Sequence, residues 1–299
     1  MKKFLSLLLA LVMLLSFAAC AKDDETPPVD DDGQVQGNDD QTTLSKIDAI
    51  KQAGHLVVGT SADYPPYEFH TEIDGVDTIV GFDMAIAQAF ADKLGVELKV
   101  VDMAFESLLI SLQEGKFDLV MAGLTPDEER SKSVDFTDVF FNNTQIVIIR
   151  AEDAEKYVTT EDMAGTKLGV QKGTVQETIA AGLTDENKVV KLAKFPELIM
   201  ELKTGKIDGV CTNSMVASAY TSAHPDLICQ DIGIVWENTG FAGAIQKGDN
   251  AEYLAFLNET IAELQADGSI DNFVAHAQAL ANAAEDSEDD ANADGADAA

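Results

Sequence analysis

The chain has 299 residues and a net charge of −33, enough for one large α/β domain or two modest ones. A surface so acidic repels phosphates, which excludes nucleic acid as a partner and disfavours anionic lipid headgroups. Its four His and three Cys have no metal-ligand spacing, and no phosphate loop, zincin motif or nucleophile elbow is present, so neither metal nor cofactor is expected.

Met1, Lys2 and Lys3 give a charged start, 4–17 is apolar, and Ala18, Ala19 and Cys20 make a small-residue exit. Residues 1–19 read as a secretory signal whose apolar run is short for a membrane span. A Cys directly after two Ala resembles a bacterial lipoprotein signal, although Phe17 stands where that motif usually has Leu. The resemblance implies that Cys20 becomes a lipid-bearing first residue; the alternative is an ordinary cleaved signal. Residues 20–43 are rich in Asp, Gly, Gln and Pro and read as a disordered acidic tether. Residues 282–299 read as a disordered acidic tail, with enough Ala to allow fraying helix.

Between these ends, strands alternate with helices, the pattern of mainly parallel sheets covered on both faces. A helix is expected over 47–54, a strand over 55–60, an irregular loop with two prolines over 61–69, and a turn at Asp74 and Gly75. An amphipathic helix over 81–95 ends at Gly95, and a strand follows over 97–101. Further strands are expected over 145–149, 167–170, 188–191 and 241–245, and a helix begins in 171–177, where Thr174 is a candidate cap. Two helices close the chain over 252–267 and 270–281. Cys211 and Cys229 read as two buried free thiols, with a disulfide the alternative in an exported protein.

One pattern occurs twice, ninety residues apart. Phe105, Leu108, Leu112, Gly115, Lys116 and Asp118 recur as Phe195, Leu198, Leu202, Gly205, Lys206 and Asp208. Each copy is an apolar-faced helix, a Gly stop and a strand, which suggests two similar α/β lobes. Ligands in such sheets gather beyond the carboxyl ends of the strands. The stretch Ala122 to Thr125 and the pair Thr212 and Asn213 therefore become candidate walls of one cleft.

The chain has only two arginines, Arg130 and Arg150. Arg130 follows Gly123 and Thr125 beyond the first repeated strand. Its planar fork suits a carboxylate held bidentately, while a pairing with Asp127, Glu128 or Asp135 is the plain alternative.

Several ordered motifs then share one resemblance. Leu56 to Phe69, with Ser61, Tyr64, Pro65 and Pro66, is one. Gly81, Phe82 and Asp83, the run from Asp118 to Arg130, Val134 to Thr137, Gly169 to Thr174, and Ala266 to Asp271 are the others. Over 44–281 the chain resembles the polar-amino-acid binding proteins of ABC importers, bacterial solute-binding protein family 3. That resemblance implies a two-lobed periplasmic-binding-protein-like fold of type II, in which each lobe is a mainly parallel sheet flanked by helices and two hinge strands join them. Lobe 1 would be 44–141 and 241–281, and lobe 2 would be 142–240.

The implied function is an extracytoplasmic lipoprotein, a monomer without enzyme activity, that captures an amino acid or close derivative and delivers it to a permease and ATPase complex. By the same resemblance Arg130 takes the ligand α-carboxylate, helped by Thr125 and the N–H of Val175, and the Gly123 carbonyl takes the α-ammonium. Tyr64 and Phe105 sandwich the ligand side chain, or else belong to the core. Gln171 and Gln176 contact ligand from the second lobe, or else face solvent. Two positions depart from the family: Asn213 stands where an Asp commonly pairs with the ammonium, and Ser61 where relatives selecting basic side chains carry Asp. Their neutrality argues against Lys, Arg or ornithine and leans toward a polar uncharged or acidic ligand. Exported dehydratases acting on prephenate-like acids share the fold and form one alternative. A sensor presenting ligand to a membrane receptor is another.

Overall fold

The computed structural model describes residues 44–237, 240–248 and 250–296, with side chains up to residue 283. The expected signal over 1–19, the lipid-bearing Cys20 and the tether over 20–43 lie outside the described residues. No described helix is long and apolar enough to cross a membrane.

Helix α1 (Lys46–Ala53) starts where the Ser45 hydroxyl accepts the Asp48 N–H and stops at left-handed Gly54. Strands β1 (His55–Thr60), β5 (Glu97–Asp102), β6 (Leu119–Val120), β7 (Val134–Phe136) and β15 (Ala244–Gln246) form the first large sheet, in the order β5-β1-β6-β15-β7. The second large sheet takes β9 (Gln145–Arg150), β10 (Leu168–Gln171), β11 (Val189–Leu192), β12 (Gly209–Asn213) and β13 (Leu227–Gln230), in the order β11-β10-β12-β9-β13. The two orders are the same. In each, the first three strands run parallel and the fourth is antiparallel to both its neighbours. Four of the five strands therefore share a direction, as the alternation of strands and helices predicts.

The reversed strands, β15 and β9, are those that enter each sheet after a chain crossing. The crossings themselves, β8 (Phe141–Asn142) and β14 (Gly240–Phe241), pair antiparallel with each other. The single strand expected over 241–245 is thus two: β14 in the hinge and β15 in the first sheet.

The repeated sequence has a repeated structure. Helices α3 (Phe105–Gln113) and α5 (Phe195–Lys203) bury Phe105, Leu108 and Leu112, and Phe195, Leu198 and Leu202, an apolar stripe at helical spacing. The Asp that ends each copy serves the same purpose. Asp118 accepts the Val57 N–H at 2.8 Å and Asp208 the Lys167 N–H at 2.8 Å. Each ties the strand that follows it, β6 or β12, to the parallel neighbour β1 or β10.

Helix α2 (Phe82–Leu94) lies between Gly81 and Gly95 and packs on β1 and β5. Helices α4 (Gln176–Leu183) and α6 (Ser214–Ala223) cover the second sheet with α5. The two last helices, α7 (Ala251–Ala266) and α8 (Ser269–Ala296), follow the return crossing. Helix α8 rests on α2 and α7 of the first lobe and on α6 of the second. Its backbone stays helical through Ala296, into the stretch expected as a disordered tail. The abundant Ala there favours helix.

The loop expected as irregular over 61–69 holds structure. Strands β2 (Asp63–Tyr64), β3 (Glu68–Ile73) and β4 (Val76–Val80) form a three-stranded sheet. The β3–β4 hairpin turns on Asp74 and Gly75 alone, both at positive φ (52° and 78°). That two-residue turn is a strong hairpin signal; the mixed polar composition of its flanks hid the strands. Cys211 is buried and free, its thiol pushed up to about 12 by burial, whereas Cys229 is free but exposed, correcting the expectation that both are buried. Strand β9 separates their strands.

Candidate functional site

Beyond the carboxyl ends of β1, β6 and β10 the two lobes meet around a small, tightly closed pocket. The first lobe contributes Ser61, Tyr64, Glu68, Phe105, Ala122, Gly123, Thr125 and Arg130; the second contributes Gln171, Thr174, Val175 and Gln176. Nine of the ten residues expected from sequence are among them. The tenth, Asn213, is not.

Arg130 opens a 3-10 turn (Arg130–Lys132) just after the loop that leaves β6. Its guanidinium donates to the Thr125 carbonyl at 2.5 Å and, across the cleft, to the Gly173 carbonyl at 2.9 Å. Asp127 lies 3.4 Å from Nε, and the Phe105 ring lies 5.6 Å from the guanidinium carbon, within cation–π range. Burial pushes the guanidinium pKa down from its ordinary value, and Asp127 opposes that. The group stays charged. Asp127 is a local partner, as one reading of the sequence has it, yet the same cation faces the pocket.

Tyr64 stands at the boundary of the lobes. Its hydroxyl lies 2.9 Å from Thr212 Oγ1 and accepts the Asn213 side-chain N–H at 2.9 Å. Asn213 is completely buried and sits behind Tyr64, not on the pocket wall. It is the N-cap of α6: its Oδ1 accepts the N–H groups of Met215 and Val216 and the side-chain N–H of Asn143. All of its polar atoms are used by the protein. The strand-to-helix junction demands a short acceptor at this position, so a cap occupies the place the resemblance gives to an ammonium partner.

Val175 is the N-cap of α4, so its N–H belongs with the helix-start donors that have no intrahelical acceptor. Thr174 does not cap with its side chain; its hydroxyl donates to the Gln171 carbonyl at 2.7 Å and steadies the turn. Gln171 donates to Asp63 across the lobes at 3.0 Å and Gln176 to Gln145 at 2.9 Å. Both are buried, which removes the solvent-facing alternative.

Glu68 is a wall residue that sequence reasoning passed over. It is 1% exposed, and neither of its carboxyl oxygens has a protein N–H donor. Beside it is Asp83, fully buried, whose Oδ2 accepts the Gly123 N–H at 2.9 Å. Burial, first, and then the charge of Asp83 push the Glu68 carboxyl far above the usual carboxylate range; Asp83 itself is pushed up to about 7, again by burial. Burial and the neighbouring acid together favour a protonated form of this carboxyl pair. Ser61 Oγ is likewise buried and unpartnered. The signal was available: Glu68 and Asp83 are acids set singly inside apolar runs, between Tyr67 and Phe69 and between Phe82 and Met84. No group of His, Cys, Asp or Glu among the described residues could hold a metal ion.

Two α/β lobes shut on a small polar pocket define a ligand-trapping protein. The chain matches the bacterial extracellular solute-binding proteins, family 3, over residues 56–276, and it belongs to that family. It is 33% identical over 221 residues to the arginine-binding extracellular protein ArtP of Bacillus subtilis, covering 72% of this chain and 83% of that one. Among solved structures it is similar to the amino acid ABC transporter substrate-binding protein AbpA of Streptococcus pneumoniae bound to L-arginine. There the identity is 35%, the TM-score 0.75, and the coverage 78% of this chain and 98% of that one. It is also similar to the ancestral amino-acid-binding protein AncCDT-1, a precursor of cyclohexadienyl dehydratase, with 32% identity, a TM-score of 0.70, and coverage of 77% and 97%.

Proposed function

We propose that this protein captures a polar α-amino acid between its lobes outside the cytoplasm and delivers it to an ABC importer, held at the membrane by a lipid on Cys20. The observation that carries the reading is Arg130: a largely buried guanidinium, fixed by two backbone carbonyls from different lobes, facing the pocket between them. In this reading Arg130 grips the ligand α-carboxylate bidentately, with Thr125 and the Val175 N–H as further donors. The Gly123 carbonyl takes the α-ammonium. Tyr64 and Phe105 bracket the side chain, and Gln171 and Gln176 add contacts as the second lobe closes. Asn213 acts through Tyr64, which it orients. The relatives' ligands, arginine among them, support a polar amino acid.

Contacts made with both lobes favour the closed state, and that closed state is what the importer engages. Truncating one partner of a buried charge pair costs ~2–5 kcal/mol. Arg130→Ala should therefore weaken the binding of any amino acid ligand by at least ~30-fold in calorimetry. Unchanged affinity in a folded variant would remove the site assignment. For the anchor, mass spectrometry of the mature chain should find diacylglycerol on Cys20.

One observation favours the dehydratase alternative: Glu68 is a buried acid on the pocket wall, its pKa raised by burial, and such chemistry needs an acid in the cleft. Product release from prephenate or arogenate would establish it, and its absence is expected.

A further inference from the structure

Ion pairs cross between the lobes at two places, and at both the first lobe supplies the acid and the second the lysine. At one, Lys172 Nζ lies 3.0 Å from Glu106. At the other, Lys194 Nζ lies 3.5 Å from Asp63 and 3.8 Å from Asp102. The two places are equivalent in the duplicated fold. The start of α3 meets the turn that follows β10, and the start of α5 meets the segment that follows β1. The charges themselves are not copied with the fold: in the repeat, Glu106 matches Pro196 and Lys194 matches Ala104. A two-fold copy of the first contact would place an acid on α5 and a lysine after β1, so that each lobe carried both signs. Instead each lobe shows a single sign at these contacts. We infer that they form an ionic clasp, a positive edge on the second lobe closing on a negative edge on the first, so that external salt sets how readily the lobes shut.

The common polarity is what makes the pairs act together. Each is modest by itself, because it is half in water. The side chains of Lys172 and Lys194 are 55% and 39% exposed, so salt reaches both. When the lobes part, opposite edges still face each other, and their attraction acts across the gap over a Debye length. That length is about 30 Å at 0.01 M salt and about 3 Å at 1 M. The clasp therefore draws the lobes together in dilute solution and is nearly silent in strong salt. The hydrogen bonds that also join the lobes, from Gln171 to Asp63 and from Asn213 to Tyr64, are buried and respond to salt much less.

Closure and capture are linked, because apparent affinity follows the population of the closed state. Neither Glu106 nor Lys172 is needed to touch a ligand for the clasp to act, and its effect is the same for every ligand.

The test needs no ligand. Trp236 is the chain's single Trp and lines the open space between the Asp127 to Arg130 loop of the first lobe and the α4 turn of the second, so opening bares it to a quencher. Quenching of its fluorescence by acrylamide, which is neutral, is measured on the ligand-free full chain at ~20 mM and ~500 mM sodium chloride. The parent should be quenched more strongly at high salt. Glu106→Lys and Lys172→Glu should each be quenched strongly already at low salt, because like charges then face each other. The two reversals combined restore an opposite pair and should return quenching at low salt to the parent's value. Equal quenching of the parent at both salts would overturn the inference. So would a combined variant no closer to the parent than the single ones, which would mean that shape and not charge joins these surfaces. Should a reversal fail to fold, Glu106→Gln combined with Lys172→Gln decides, since the clasp requires its salt response to be smaller than the parent's and an undiminished response would refute it.

Discussion

Asp83 performs two tasks that conflict at neutral pH. Its Oδ2 fixes the Gly123 N–H, where a positive φ of 52° brings the backbone against the Tyr64 ring. Its other oxygen lies in the company of Glu68 without a donor, where a proton shared by the two carboxyls is favoured. Because burial raises its pKa from 3.8 to about 7, the folded chain holds this proton more tightly than the unfolded chain does. The stabilisation is complete below the unfolded value and is lost as pH rises through about 7. The ligand-free protein should thus lose a few kcal/mol from this pair between ~pH 4 and ~pH 8. Asp83→Asn keeps an acceptor for Gly123 and offers Glu68 an N–H, so its melting temperature should change less over that range than the parent's. Parallel curves for the two proteins would show that no proton is shared. Neither carboxyl was singled out from sequence, because a lone acid in an apolar run is ambiguous until the fold shows what surrounds it.

At the scale of elements, the turn before α4 decides how closely the lobes approach. Gly173 has a φ of 83°, and a Cβ there would lie 3.0 Å from the backbone and Cβ of Glu106 across the cleft. Its carbonyl receives Arg130, and Lys172 beside it pairs with Glu106 at 3.0 Å. Gly173→Ala should push the α4 turn off α3 and strain its own backbone, weakening ligand binding ~10-fold or more while the lobes stay folded. Far-UV circular dichroism and calorimetry together would check this, and full affinity in the variant would show that the lobes need no such approach. Much at this scale was legible in the sequence. The duplicated helix and strand, with Phe105 and Phe195 at their heads, gave two matching sheets, and the Gly residues after α1 and α2 marked their ends. The interrupted pairing, β14 in the hinge and β15 in the sheet, was not legible. The run from Phe241 to Ile245 is apolar throughout and carries no local sign of where one sheet ends and the other begins. The same limit applies to Asn213: a residue's type and rank in a motif do not tell a helix cap from a ligand contact when one side chain suits both.

Across the whole molecule, the closed state is held partly by the protein itself, and Asp63 is the centre of that hold. It belongs to the first lobe and is 9% exposed. One oxygen accepts from Gln171 at 3.0 Å, and the other accepts the Phe195 N–H at 3.4 Å and lies 3.5 Å from Lys194 Nζ, all in the second lobe. Its backbone carbonyl accepts from Tyr220 at 3.0 Å. Burial raises the carboxyl pKa, and Lys194 then lowers it in part. Lys194 is partly exposed, so the ion pair is screened and contributes modestly; the buried hydrogen bonds to a charged acceptor contribute more. Asp63 is not on the pocket wall, so any effect of removing it on ligand binding must come through closure. Apparent affinity falls in proportion to the population of the binding-competent state. A bridge worth ~1–3 kcal/mol would correspond to a ~5- to 150-fold loss. Asp63→Ala should therefore weaken every ligand of this protein by a similar factor and leave the ranking among them unaltered. It should also give the ligand-free chain a larger radius of gyration in small-angle scattering. A change of ranking without expansion would mean that Asp63 acts on the ligand directly, and the hinge would then open and shut on the cargo's contacts alone.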